Sequence, residues 1–144
     1  MTLAMYPALF FTVAMLITNA YFLLGGIPLL VLQHDTPMDA RFVRGFFDVY
    51  CKAAITSASG ACASYALWER FSFALGAAGL LGVALLLRRR LLPAMQQLGT
   101  QIQHAGEAAG RSAIARFRRM HVAALTINLM QLALVVRGTV QLSL

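Results

Sequence analysis

The chain has 144 residues, of which 60% are hydrophobic and 12% charged, with twelve Lys+Arg against five Asp+Glu for a net charge of +7. Soluble domains carry roughly 25% charged and 45–50% apolar residues, and a small domain has too much surface for its volume to hide this excess. Composition therefore excludes a soluble single-domain enzyme, a disordered chain and a disulfide scaffold, and points to an all-α integral membrane protein.

The first apolar run covers Leu3–Leu32 without a charge. As one straight helix it would measure about 45 Å against a hydrocarbon core near 30 Å. Gly25-Gly26-Ile27-Pro28 is the expected device for absorbing the excess, by a kink, an early helix end or a re-entrant hairpin. The run lacks the basic flank of a secretory signal, so it reads as a retained first span. Next comes a polar connection, in which Asp35-Thr36-Pro37 resembles a turn with a helix start. A short interfacial helix is expected from about Pro37.

The second span, about residues 46–67, is the least hydropathic. Asp48 and Lys52 lie one helical turn apart in the favourable order for an ion pair. Past them, Ala53 to Ser64 is almost all small residues, and Ser57, Gly60 and Ser64 share a face. Small side chains let helix backbones approach closely in a bilayer, so this helix should be the most enclosed. Cys51 and Cys62 would lie about 16 Å apart on it, too far for a disulfide. Trp68-Glu69-Arg70 marks a hairpin, with Trp68 at interface depth. The third span, residues 71–87, carries two small-residue pairs, Ala78 with Gly82 and Gly76 with Gly79.

Residues 88–120 read as one basic loop, with Pro93 at its entry and a small, polar stretch from Gly99 to Gly110; from Ser112 the chain regains helical character and runs into the fourth span. It holds Arg88, Arg89, Arg90, Arg111, Arg116, Arg118 and Arg119. Anionic lipid headgroups are the expected partner of Arg88, Arg89, Arg90, Arg116, Arg118 and Arg119, at roughly 1 kcal/mol per basic residue near the surface. Nucleic acid is not an expected partner. The fourth span, residues 121–136, ends at Arg137, which can snorkel to the interface. The positive-inside rule puts the basic loop, Arg41 and Arg44 in the cytoplasm. That makes nine basic residues inside against Arg70 and Arg137 outside, so both termini are expected in the periplasm of a bacterial inner membrane.

Polar groups within a bilayer are functional candidates by default. His121, Ala124/Leu125, Asn128 and Gln131 fall on one face of the fourth span, and Asn19 is the strongly polar residue of the first. Asp48, Lys52, His121, Asn128 and Gln131 are the candidate functional residues. No catalytic, metal-binding or cofactor-binding pattern occurs: His34, His104 and His121 share no ligand spacing, and there is no CxxC, phosphate-cradling glycine loop or GxSxG elbow.

Ala115-Arg116-Phe117-Arg118-Arg119-Met120-His121, followed by Leu125 and Ile127-Asn128-Leu129, resembles the stretch that opens the last helix of DUF4149-type membrane proteins, relatives of the transmembrane protein 205 group. Phe42-Val43-Arg44-Gly45-Phe46-Phe47-Asp48-Val49-Tyr50 is similar to their entry into the second helix, and the family's usual Ser is here Ala124. The resemblance implies a four-helix transmembrane bundle and no settled activity. The leading functional expectation is a non-enzymatic accessory or structural subunit, packed against other membrane subunits or its own copies. The alternatives are a small-molecule or ion transporter using Asp48, Lys52, Asn128 and Gln131, and a redox-associated protein binding quinone or haem between protomers.

Overall fold

The computed structural model describes residues 2–31, 37–104 and 107–143. It is all-helical: α1 (Thr2–Leu29), α2 (Pro37–Leu67), α3 (Phe71–His104) and α4 (Glu107–Ser143). Successive helices run antiparallel and pack as a ring, α1 on α2, α2 on α3, α3 on α4 and α4 back on α1. Three helical stretches, Leu3–Leu29, Phe71–Gln101 and Arg111–Leu142, are long and apolar enough to cross a membrane. Helix α2 is not among them, because Arg41, Arg44, Asp48, Lys52 and its many small residues lower its hydropathy.

The interior positions repeat by alternating fours and threes. On α1 they are Ala8, Thr12, Met15, Asn19, Phe22 and Gly26; on α2 they include Val43, Phe47, Tyr50, Ala54, Ser57, Ala61 and Ser64. This 3.5-residue period is the seam of helices packed at a shallow angle, as in a four-helix bundle. The outward face is the more apolar one. Leu3, Phe10, Ile17, Tyr21 and Leu24 on α1, Leu75 and Leu86 on α3, and Met130 and Leu134 on α4 all stand exposed.

Two apolar cores lie at different heights. One gathers Phe22, Phe47, Tyr50, Met95, Phe117 and Leu125 with their neighbours, and the other Ala8, Met15, Ala61, Tyr65, Ala77 and Val135. Asn19 on α1, between Met15 and Phe22, and Asn128 and Gln131 on α4, between Leu125 and Val135, sit at the level where one core gives way to the other.

Several sequence expectations change. Of the devices expected at Gly25–Pro28 the early helix end is the one found: α1 is continuous through Gly25-Gly26 and stops at Leu29, just after Pro28, with Leu30 N–H bonding to Ile27 O at 3.0 Å in a tightened last turn. No re-entrant hairpin forms. The glycines are packing seats: a Cβ on Gly25 would lie 2.7 Å from Phe46 Cζ, and one on Gly26 2.5 Å from Leu125 Cδ2. No separate interfacial helix follows the first span; from Pro37 the chain is already in α2 and stays helical to Leu67. The Asp35-Thr36 turn lies outside the described residues.

The segment 88–120, expected as a loop that turns helical from Ser112, has that helix, and the rest is helical too on both sides of residues 105–106. Helix α3 passes through Pro93 to His104, and α4 begins at Glu107. Beyond Arg88, α3 therefore continues for roughly 25 Å at 1.5 Å per residue. This part is packed against α4, with Met95 and Leu98 sharing a core with Ala113 and Phe117. The arginines ride on a helical hairpin.

At the opposite end, α2 closes with a Schellman motif. Glu69 N–H bonds to Ala66 O at 3.1 Å and Arg70 N–H to Tyr65 O at 2.9 Å, and Glu69 takes φ 62°. The left-handed region costs a side-chain-bearing residue roughly 1 kcal/mol or more. Glu69→Gly should therefore raise the stability of the detergent-solubilised protein by up to about 1 kcal/mol. A thermal midpoint that falls would show that the Glu69 side chain makes a compensating contact.

Candidate functional site

Where the two cores meet, three helices contribute a cluster of buried polar side chains. Asn128 Nδ2 donates to Asn19 Oδ1 at 2.8 Å and to Tyr50 Oη at 3.0 Å. Tyr50 Oη is 2.9 Å from Gln131 Oε1 and 3.2 Å from Asn19 Oδ1. The hydroxyl has one proton, and the shorter contact assigns it to Gln131. Asn19 Nδ2 is held by Met15 O at 2.8 Å. Asn128 Oδ1 is buried without a hydrogen-bond partner. Helices α2 and α4 face each other diagonally across the ring, and Tyr50 reaches Asn128 and Gln131 through its long side chain.

The Tyr50 ring is fixed by stacking on Phe22, with centroids 3.9 Å apart and planes 22° from parallel. Phe22 in turn stacks on Phe46 at 5.2 Å and meets Phe47 edge-on at 4.9 Å. His121 is fully buried, seven residues or about 10 Å along α4 from Asn128, with its ring edge-on to Phe47 at 5.3 Å. A second polar contact lies in the other core. Thr12 Oγ1 donates to Ala8 O at 2.8 Å, so Tyr65 is the donor in their 2.7 Å hydroxyl pair.

The sequence candidates thus divide into two groups. His121, Asn128 and Gln131 are interior. Asp48 and Lys52 are paired at 2.6 Å on the half-exposed flank of α2, and Arg88 Nε of α3 stands 3.8 Å from the other carboxylate oxygen. The ion pair does not join the amide cluster. Arg89, Arg90, Arg116, Arg118 and Arg119 lie on the α3–α4 hairpin, with no ion pair among the described residues. Cys51 and Cys62 are free thiols, and no group of three His, Cys, Asp or Glu residues gathers into a metal site among the described residues.

Sequence reasoning missed Tyr50 and Arg88. Tyr50 sits in the aromatic run Phe46-Phe47-Asp48-Val49-Tyr50, where its hydroxyl gives no sign of facing inward. The usable signal was the three-residue step from Phe47, which puts both on the seam that also takes Val43 and Ala54. Arg88 was counted with its neighbours as a loop charge.

Two grooves open outward from the bundle. One, of about 620 Å³, lies between α1 and α2, with Tyr50 and Phe22 in its wall and Arg41 at one end. The other, of about 650 Å³, lies between α3 and α4; Gly76, Gly79, Leu80 and Leu134 line it, Gln131, Thr12 and Tyr65 form its floor, and Arg137 stands at its mouth. Both volumes fall in the range of small-molecule pockets. The α3 small-residue pairs therefore face outward: a Cβ on Gly76, Gly79 or Gly82 would meet nothing within 4 Å. No family model, curated protein or solved structure matches this chain significantly.

Proposed function

We propose that the chain is a multi-pass integral membrane protein of a bacterial inner membrane, in which α2 is the fourth span, acting as a non-enzymatic accessory or structural unit among other membrane helices. The carrying observation is the inversion of the bundle. Phe10, Ile17, Leu24, Leu75 and Leu134 face out, while Asn19, Asn128 and Gln131, which could have met water, face in and bond. Water would penalise that outer surface at about 25 cal/mol per Å², whereas lipid accepts it. The buried amides tie α1, α2 and α4 to one another, a structural use of polar groups in a membrane. The open face of α3 around Gly82 suits close approach by a further helix. The likeness to DUF4149-type proteins belongs to the same proposal.

The arginine distribution supports an orientation with the α3–α4 hairpin, Arg41 and Arg44 in the cytoplasm and both described ends of the bundle outside. On a bilayer the hairpin arginines meet anionic headgroups.

Three measurements test this reading. The protein should remain in the pellet after an alkaline carbonate wash and leave it only with detergent; a monodisperse helical protein in the supernatant overturns membrane embedding. Ser143→Cys should react with an impermeant maleimide in intact spheroplasts, and reaction only after lysis reverses the orientation. A photo-crosslinking phenylalanine analogue in place of Gly82 should give one discrete protein adduct in native membranes. An adduct-free chain sinks the subunit role and leaves the embedding intact.

A further inference from the structure

The α3–α4 groove has a direction. Its outer mouth is polar and cationic, with Arg137, Ser72, Thr139 and Gln141, and its far end is apolar, closed by Val83 and Ile127. Along α4, from Gln141 to Ile127, it measures about 21 Å. One leaflet of hydrocarbon is about 15 Å deep, so the groove is one leaflet plus its interface. Gly76 and Gly79 leave a channel on the α3 side where any side chain would project into it.

Two polar residues along this groove have donors that are left unused among the described residues. Arg137 makes no ion pair with a carboxylate among the described residues. Gln131 is 95% buried, with 5% relative exposure. Its Oε1 is taken by Tyr50, and its Nε2 makes no hydrogen bond among the described residues although the residue lines the groove. That Nε2 is not enclosed by the protein but opens on the groove, and a donor left facing hydrocarbon is unfavourable, so the site favours an occupant that brings an acceptor. Arg137 lies six residues, about 9 Å, further out on the same helix.

We propose, resting on the membrane embedding argued above, that this groove binds one anionic glycerophospholipid from the outer leaflet. The phosphate pairs with the Arg137 guanidinium. An ester carbonyl accepts from Gln131 Nε2, and one acyl chain lies along Gly76, Gly79 and Leu80 toward Val83. The arginine side chain is long enough to follow the headgroup, so the phosphate need not lie level with its backbone. A neighbouring helix is the poorer occupant: a second copy of α3 would bring residues 71–87, which are uncharged, and leave Arg137 facing no anion. This site is at the opposite end of the molecule from the arginine-rich hairpin, so its lipid comes from the opposite leaflet.

The test is native mass spectrometry of the detergent-purified, delipidated chain titrated with phosphatidylglycerol or phosphatidylcholine. One phosphatidylglycerol per chain should be retained, at least tenfold more tightly than phosphatidylcholine. Arg137→Gln should weaken that retention tenfold or more. Gly79→Leu, which fills open space and leaves the helix contacts alone, should abolish it. Equal retention of the two lipids, or full retention by both variants, overturns the site. So does loss of lipid in Arg116→Gln/Arg118→Gln/Arg119→Gln but not in Arg137→Gln, because the lipid would then sit at the hairpin. A Gly79→Leu variant that turns a dimer into a monomer with its lipid count unchanged also overturns it, in favour of a second copy. A chain that resists the carbonate wash yet binds no lipid ends this inference alone. A chain released by the wash ends the membrane reading as well.

Discussion

Tyr50→Phe should lower the stability of the bundle by about 1–3 kcal/mol, because one hydroxyl of α2 serves two partners on α4. Its loss removes the acceptor of one Asn128 proton and the donor to Gln131 Oε1. The ring stays, stacked on Phe22, so packing is preserved and the measured change isolates the polar layer. Asn128→Leu should cost at least as much, since it strips Asn19 Oδ1 and Tyr50 Oη of their shared donor in one step. The double variant Tyr50→Phe/Asn128→Leu should lose less than the sum of the two, as expected for residues in one network. Thermal denaturation in detergent, followed by circular dichroism, gives all three values. Strict additivity would mean that the two residues are not coupled and that the layer is a set of separate contacts.

The second large effect is a contrast between glycines. Gly25→Leu should cost roughly 3 kcal/mol or prevent assembly, because the added Cβ alone falls 2.7 Å from Phe46 Cζ. Phe46 has little room to yield, since it is stacked on Phe22, which also supports Tyr50. Gly82→Ala, by contrast, should stabilise the isolated chain by up to about 1 kcal/mol: its Cβ meets nothing within 4 Å, and Ala is the better helix former. Hydropathy does not distinguish these two positions, so the difference reports tertiary packing alone. Equal destabilisation at both would refute the assigned packing of α1 against α2.

These two predictions rest on features of unequal visibility in the sequence. The α4 stripe of His121, Asn128 and Gln131 is legible because polar residues in an apolar helix mark its inward face when they recur at helical spacing. Helix α1 is apolar almost all round, so its buried face cannot be read from hydropathy; Asn19 is its one strongly polar mark. The glycine pair Gly25-Gly26 pointed to a break, yet the helix is continuous there. Intrinsic propensity disfavours glycine in a helix by roughly 1 kcal/mol, and close contact with Phe46 and Leu125 gives it a use that outweighs that cost. The helix expected from Ser112 is present, whereas the stretch 88–111 misled through its charges, its Pro93 and its glycines. Its many Arg, Leu, Ala and Gln residues are good helix formers, and they decide its conformation.

By itself the sequence determined that four helices form, that the chain is unusually apolar and sparsely charged, and which end carries the arginines. These follow from composition and local periodicity, which act residue by residue. Tertiary structure alone decided that Tyr50 joins Asn128 and Gln131 across the bundle axis, that Arg88 stands beside Asp48, and that Gly25 is filled while Gly79 is open. Each of these is a meeting between helices far apart in the chain, and hydropathy, which has no term for a partner's shape or its hydrogen-bonding capacity, cannot choose among them.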